Sequence, residues 1–102
     1  MKDELKGQIS QDEIEQLKQK HGEIFALKVS GSICYLKKPT RKTLGYASVA
    51  GKDNPLKFNE VVLNDCFLAG DETIKTDDTK FLSASAKLSE IIEVVEAELE
   101  KL

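Results

Sequence analysis

Several residue types are absent or scarce in this chain of 102 residues. It has no tryptophan, one histidine and two prolines, and aromatic residues make up only 6% of it, so its core must be mainly aliphatic. No stretch approaches the roughly 20 consecutive apolar residues that a membrane-spanning helix needs. No apolar run follows the positive charge near the N-terminus, as a secretory signal would require. We therefore expect a cytoplasmic protein with no membrane partner.

The residues needed for most catalytic or metal sites are also scarce. With one histidine and two distant cysteines, Cys34 and Cys66, the chain has no zinc-ligand set. It has no glycine-rich phosphate loop and no G-x-S-x-G nucleophile motif. The acidic positions 71, 72, 77 and 78 lack the alternating ligands of a calcium loop. We expect no enzymatic activity, no metal and no cofactor.

Both cysteines lie in apolar stretches, which favours two buried free thiols in a reducing compartment. A disulfide between Cys34 and Cys66 is the alternative that the sequence leaves open. The histidine, His21, stands at the expected end of the first helix. There we interpret it as a surface residue rather than a ligand or catalytic base.

The charge of the chain argues against a nucleic-acid partner. Its net charge is −3, and phosphate binding needs an excess of lysine and arginine. The charge is unevenly distributed, because residues 1–51 carry nine basic and six acidic side chains whereas residues 52–102 carry six and twelve. Such polarity can orient a protein partner or a second copy of the chain.

The N-terminal half predicts a helix followed by a β-hairpin. We expect a mobile tail over residues 1–8 and a single α+β domain over residues 9–102. Ser10 and Glu13 form a capping box for a surface helix that ends near Gly22.

Residues 23–38 then predict the hairpin, with strands over 24–29 and 33–38. A two-residue turn at Gly31 and Ser32 would place Val29 opposite Cys34. Whether further short strands extend this sheet stays open.

The C-terminal part predicts three or four helices packed against the hairpin. Thr40 is expected to cap a helix that stops at Gly51, and Asn54 to cap a second one that closes at Gly70. Residues 71–80 are rich in Asp and Thr and predict a loop or an irregular turn. A final helix, capped by Asp77 or Asp78, is expected to carry an amphipathic stripe to the C-terminus.

Three features point to protein binding. The first is a basic cluster at the junction of hairpin and helix, where an acidic partner could dock. The second is the end of the last helix, where glutamates oppose the helix dipole. The third is the hairpin edge, through which a second copy could pair. The candidate binding residues of the first two features are Lys37, Lys38, Arg41, Lys42, Glu96, Leu99 and Leu102.

The order of segments resembles the small tail assembly chaperones of tailed bacteriophages and prophages. The similarity lies in the hairpin running into Leu36-Lys37-Lys38-Pro39-Thr40-Arg41, then in Asn54-Pro55-Leu56, and then in Asn64-Asp65-Cys66-Phe67-Leu68-Ala69-Gly70-Asp71. It covers roughly residues 23–100. The resemblance implies a non-enzymatic protein that binds the tape-measure protein, or another tail protein, during tail morphogenesis.

Two other interpretations remain at this stage. One is a small cytoplasmic adaptor or regulatory subunit unrelated to phage. The other is a structural tail component that is retained in the virion. All three act by binding protein, and self-association is open in each of them.

Overall fold

The computed structural model describes residues 5–92 and 97–102 and has a mixed α+β fold. Three strands form an antiparallel sheet in the order β1-β2-β3. The predicted fold class is therefore confirmed. None of the described helices is long and apolar enough to cross a membrane. The elements in chain order are α1 (Gln11–His21), β1 (Ile24–Val29), β2 (Ser32–Lys37), α2 (Arg41–Ala50), α3 (Pro55–Cys66), β3 (Phe67–Gly70), α4 (Thr73–Thr76), α5 (Asp78–Ser85) and a 3₁₀ helix (Leu88–Ile91).

The predicted starts of the first three helices are confirmed by their caps. Ser10 and Glu13 form the expected capping box of α1, which buries no residue and lies on the surface. The Thr40 side chain accepts a hydrogen bond from the backbone of Thr43 at the start of α2. The Asn54 side chain likewise accepts a hydrogen bond from the backbone N–H of Leu56 at the start of α3, which has Pro55 in its first turn. Each cap satisfies a backbone N–H that the helix cannot pair internally.

The hairpin forms over the expected strands, but its turn is one residue earlier than predicted. Ser30 and Gly31 occupy the turn with φ of 46° and 81°, so Val29 pairs with Ser32 and Leu27 with Cys34. Positive φ at both positions is the geometry of the turn that matches strand twist. The pairing differs from the predicted one by two residues, so each side chain keeps the face that was expected for it.

The predicted helix over 55–69 is too long. Helix α3 ends at Cys66, and residues 67–70 become β3, which pairs with β2 from Leu36 to Cys34. The reason is tertiary: β2 is central in the sheet, and its second edge needs hydrogen-bond partners. Gly70 permits the close approach, because a Cβ there would lie 2.4 Å from the Cα of Cys34.

The core lies between one face of the sheet and the helices that follow it. Its largest fully buried apolar side chains come from β2, α3 and α4: Cys34, Leu36, Val62, Leu63, Cys66 and Ile74. Phe25 and Leu27 of β1 pack against this cluster. This arrangement fixes β2 and α3 firmly, and with them the junction that carries the basic residues.

The N-terminal segment runs beside β2 near the hairpin turn, where Lys6 forms a parallel bridge with Ser32. Lys6 donates its N–H to the carbonyl of Gly31 and accepts from the N–H of Ile33, both at 2.9 Å. The hydroxyl of Tyr35 accepts a hydrogen bond from the N–H of Ile9 at 3.3 Å. Residues 5–8 of the segment predicted as a tail thus lie against the sheet, while residues 1–4 lie outside the described part of the chain.

The predicted C-terminal helix is wrong in its extent. Asp77 caps α5 as expected, but α5 ends at Ser85 and a 3₁₀ helix covers Leu88–Ile91. Residues 97–102 form no regular secondary structure. Leu88 and Ile91 are buried in the core, whereas Leu99 and Leu102 are fully exposed. A short segment without tertiary packing gains too little to hold a helix, and its glutamates oppose the dipole of a helix end.

Candidate protein-binding surface

The four basic residues of the predicted cluster lie at the junction of β2 and α2. Lys37 ends β2, Lys38 follows it, and Arg41 and Lys42 form the first turn of α2. They come together because only three residues separate the strand from the helix that Thr40 caps. Lys38 forms an ion pair with Glu23 at 3.4 Å.

The electrostatics of this junction favour an anionic partner. Helix α2 has no acidic residue in its first turn, and Arg41 and Lys42 are both exposed there. The N-terminus of a helix carries a partial positive charge, so cations at this end are unfavourable and anions are stabilising. A carboxylate beside Arg41 or Lys42 would therefore interact with both the side chains and the helix end.

A surface groove of about 640 Å³ opens beside the basic cluster, between α2 and α3. We call it the basic groove; its walls include Lys37, Lys42, Thr43, Tyr46, Val61 and Asp65. Tyr46 exposes 69% of its surface, and Val49, one turn further along α2, exposes 77%. The Asp65 carboxylate accepts a hydrogen bond from the hydroxyl of Thr43 across the groove floor. The groove thus offers apolar and cationic side chains next to each other.

The hairpin has two edges that could pair with another strand, and β3 already occupies one of them. β3 covers the outer edge of β2, and β1 lies at the other side of the sheet. No strand pairs with the outer edge of β1 within the described ranges 5–92 and 97–102. A second groove of about 540 Å³ runs along this strand, with Phe25 and Leu27 in its wall.

The C-terminal candidate residues do not lie on a helix. Leu99 and Leu102 are fully exposed in the irregular segment 97–102. Glu96 falls outside the described residues. The predicted binding surface at the end of a helix is therefore replaced, for the described part, by an exposed segment with two unpacked leucines.

Sequence reasoning missed a buried polar cluster beside the hairpin turn, at the start of β2. Asp71 is 94% buried; it accepts a hydrogen bond from the Ser32 hydroxyl at 2.6 Å and one from the Thr73 N–H at 3.0 Å. The ammonium of Lys80 donates to Ser32 at 3.1 Å and to Thr73 at 2.9 Å. The hydrogen bonds that Ser32 and Thr73 donate to its charged form hold the pKa of Asp71 well below the usual carboxyl range. No local motif marks the cluster, because its members are brought together only by folding.

Glu72 and Asp77, two other acidic residues of the 71–78 region, have separate partners. Glu72 pairs with Lys75 at 2.7 Å, and Asp77 accepts a hydrogen bond from the N–H of Lys80 as the cap of α5. Their carboxylates thus serve local structure.

The two cysteines are free and buried, as the sequence predicts. Burial raises the pKa of Cys34 to about 12 and that of Cys66 to about 11. Because the thiolate is the reactive form, both thiols are poor nucleophiles in the native protein.

The functional candidates of this chain are therefore surface features: the basic groove, the edge of β1 and the exposed C-terminal segment. Comparison with models of protein families, with curated proteins and with solved structures finds no match for this chain.

Proposed function

We propose that this chain is a non-enzymatic tail assembly chaperone of a tailed phage or prophage, which binds the tape-measure protein in the bacterial cytoplasm during tail morphogenesis. The observation that carries the proposal is the basic groove, where exposed Tyr46 lies beside Lys37 and Lys42, with Val49 exposed one turn further along α2. The segment order that resembles this family supplies the identity of the partner.

The groove has the composition that an amphipathic helix needs in a binding site. A helical client lays its apolar face in a hydrophobic groove and its charged flank against complementary charge at the rim. Tyr46 and Val49 are spaced for one side of α2, and Lys42 lies one turn before Tyr46. A long, helical and aggregation-prone client with acidic flanks would be kept in solution by covering its apolar face here.

The position of the groove also suits reversible binding. Its walls come from α2 and α3, which pack on the core through buried Ala47, Val62 and Leu63. Rigid elements present the contact side chains with little reorganisation, which reduces the entropic cost of binding.

The test is co-expression with the tape-measure protein encoded in the same genome. The wild-type chain should keep the tape-measure protein in the soluble fraction and co-purify with it. Reversing two charges of the groove, Lys37→Glu with Lys42→Glu, should abolish both effects. The matched control is Lys28→Glu with Lys52→Glu, since both lysines are exposed, lie outside the groove and change the net charge equally.

The proposal fails if the tape-measure protein is equally insoluble with and without the chain. That result would favour the second interpretation, a cytoplasmic adaptor that binds a different protein. A groove variant that binds as well as the control would reject the groove as the contact surface while leaving the chaperone role in place.

A further inference from the structure

The C-terminal segment 97–102 exposes apolar side chains that the rest of the described chain does not cover. Leu99 and Leu102 are both fully exposed; Leu99 lies between Glu98 and Glu100, and Lys101 precedes Leu102. The molecule is elongated and measures 61 × 32 × 21 Å. Its radius of gyration of 15.4 Å exceeds the value of about 13 Å for a compact chain of 100 residues. Segments that leave two leucines in water gain free energy when a partner surface buries them.

The basic groove is complementary to this segment in both charge and polarity. Lys37 and Lys42 on the groove wall match the carboxylates of Glu98 and Glu100, and Tyr46 and Val61 offer apolar surface to the leucines. The groove volume of about 640 Å³ is in the range of sites that enclose ligand-sized groups, roughly 300–1,000 Å³.

The surroundings of the groove strengthen this match. Arg41 adds a third cation, which is exposed at the N-terminus of α2, and this end of the helix itself favours a carboxylate. Asp65 is the acidic residue in the groove wall, and its carboxylate already accepts a hydrogen bond from Thr43. No ion pair to Lys37, Arg41 or Lys42 forms within the part of the chain that the structure describes.

We infer that the C-terminal segment of one copy of this chain binds in the basic groove of a second copy. Each copy carries one acidic, leucine-containing segment and one groove, so two copies can exchange segments and form a closed dimer with two identical contacts. Two contacts in one assembly hold it more tightly than a single contact would. The inference concerns self-association and does not depend on which client protein the groove also binds.

The first measurement is the molar mass of the full chain by sedimentation equilibrium from about 1 µM to about 1 mM. The wild-type chain should shift from monomer to dimer over this range. Leu99→Ser with Leu102→Ser should weaken the dimer roughly tenfold or more, because the buried apolar contact is lost. Lys37→Glu with Lys42→Glu should weaken it as well, and the control Lys28→Glu with Lys52→Glu should not.

Two combinations test the pairing directly. Adding Glu98→Lys and Glu100→Lys to the Lys37→Glu, Lys42→Glu variant should restore the dimer, since the charges are exchanged across the contact. Mixing the leucine variant with the groove variant should give a heterodimer, because one intact segment then meets one intact groove.

A chain that stays monomeric at every concentration overturns the inference. So does a dimer that survives loss of the leucines, because it would use another surface such as the β1 edge. Failure to bind a tape-measure protein has no bearing on either result, so this inference and the proposed function can fail separately.

Discussion

At the scale of single residues, Asp71 is a buried carboxylate that accepts hydrogen bonds from two other residues. It lies just after β3 and joins the start of β2, through Ser32, to α4, through Thr73. Lys80 of α5 donates to the hydroxyl groups of Ser32 and Thr73. Hydrogen bonds to a buried ionised group are stronger than neutral ones, and leaving such a group without a partner is costly.

We predict that Asp71→Asn lowers the free energy of unfolding at neutral pH by about 1–3 kcal/mol, because the charged hydrogen bonds are lost. The wild-type protein should also lose stability in acid. The pKa of Asp71 is lower in the folded than in the unfolded state, so its contribution is complete above the ordinary carboxyl value of about 4 and declines as the pH falls below it. Urea unfolding at neutral and acidic pH measures both effects.

The matched control for this prediction is Asp78→Asn, which changes an exposed carboxylate of the same region. The stability of Asp71→Asn should fall less steeply in acid than that of the wild type and of the control. Equal slopes for all three proteins would show that Asp71 does not contribute to the acid sensitivity of the fold.

At the scale of elements, two glycines allow the sheet to form, for different reasons. Gly31 has φ of 81° in the hairpin turn, and nothing lies within 4 Å of the position that a Cβ would take. Gly70 has φ of 130°, and a Cβ there would lie 2.4 Å from the Cα of Cys34 and 2.6 Å from the carbonyl oxygen of Ile33. The first glycine serves the turn alone, and the second also serves the packing of β3 on β2.

We predict that Gly31→Ala lowers the free energy of unfolding by roughly 1–2 kcal/mol, the cost of a left-handed backbone for a residue with a Cβ. Gly70→Ala should cost about 3 kcal/mol or more, since backbone strain and overpacking add together. Chemical denaturation of the two variants compares them directly. Equal costs would contradict the close approach of β3 to β2.

At the scale of the whole molecule, the core and the exposed C-terminus are separate. The buried cluster runs from Val29 to Ile91, and residues 97–102 contribute nothing to it. The segment can therefore serve a partner without holding the fold together. In the proposed dimer, its glutamates contact the basic groove of a second copy.

We predict that deleting residues 97–102 changes the free energy of unfolding by less than about 0.5 kcal/mol at low protein concentration, because no buried surface is lost. The contrasting variant is Leu88→Ala, which truncates a side chain that is 2% exposed and should cost about 2–5 kcal/mol. Urea midpoints at micromolar concentration separate the two. A large loss on deletion would place the segment in the folded core.

The features of this protein that depend on neighbouring residues could be predicted from the sequence alone. Ser10, Thr40, Asn54 and Asp77 mark helix starts, because a cap bonds to backbone groups two or three positions away. The alternation in the hairpin determined which side chains face the core even though the turn lies one residue earlier, because side chains repeat every two residues. The basic cluster was readable for the same reason: its four members lie within six positions.

Only the tertiary structure decided where helical periodicity stops and which distant residues meet. Residues 67–70 fit a helix by spacing, but the open edge of β2 makes them a strand. The apolar stripe from Leu88 to Leu102 fits a helix as well, yet among its described residues Leu88 and Ile91 are buried whereas Leu99 and Leu102 are fully exposed. The basic groove and the contact of Asp71 with Ser32 also depend on the fold, because hydrogen-bond pairing and burial between distant segments leave no mark in local sequence spacing.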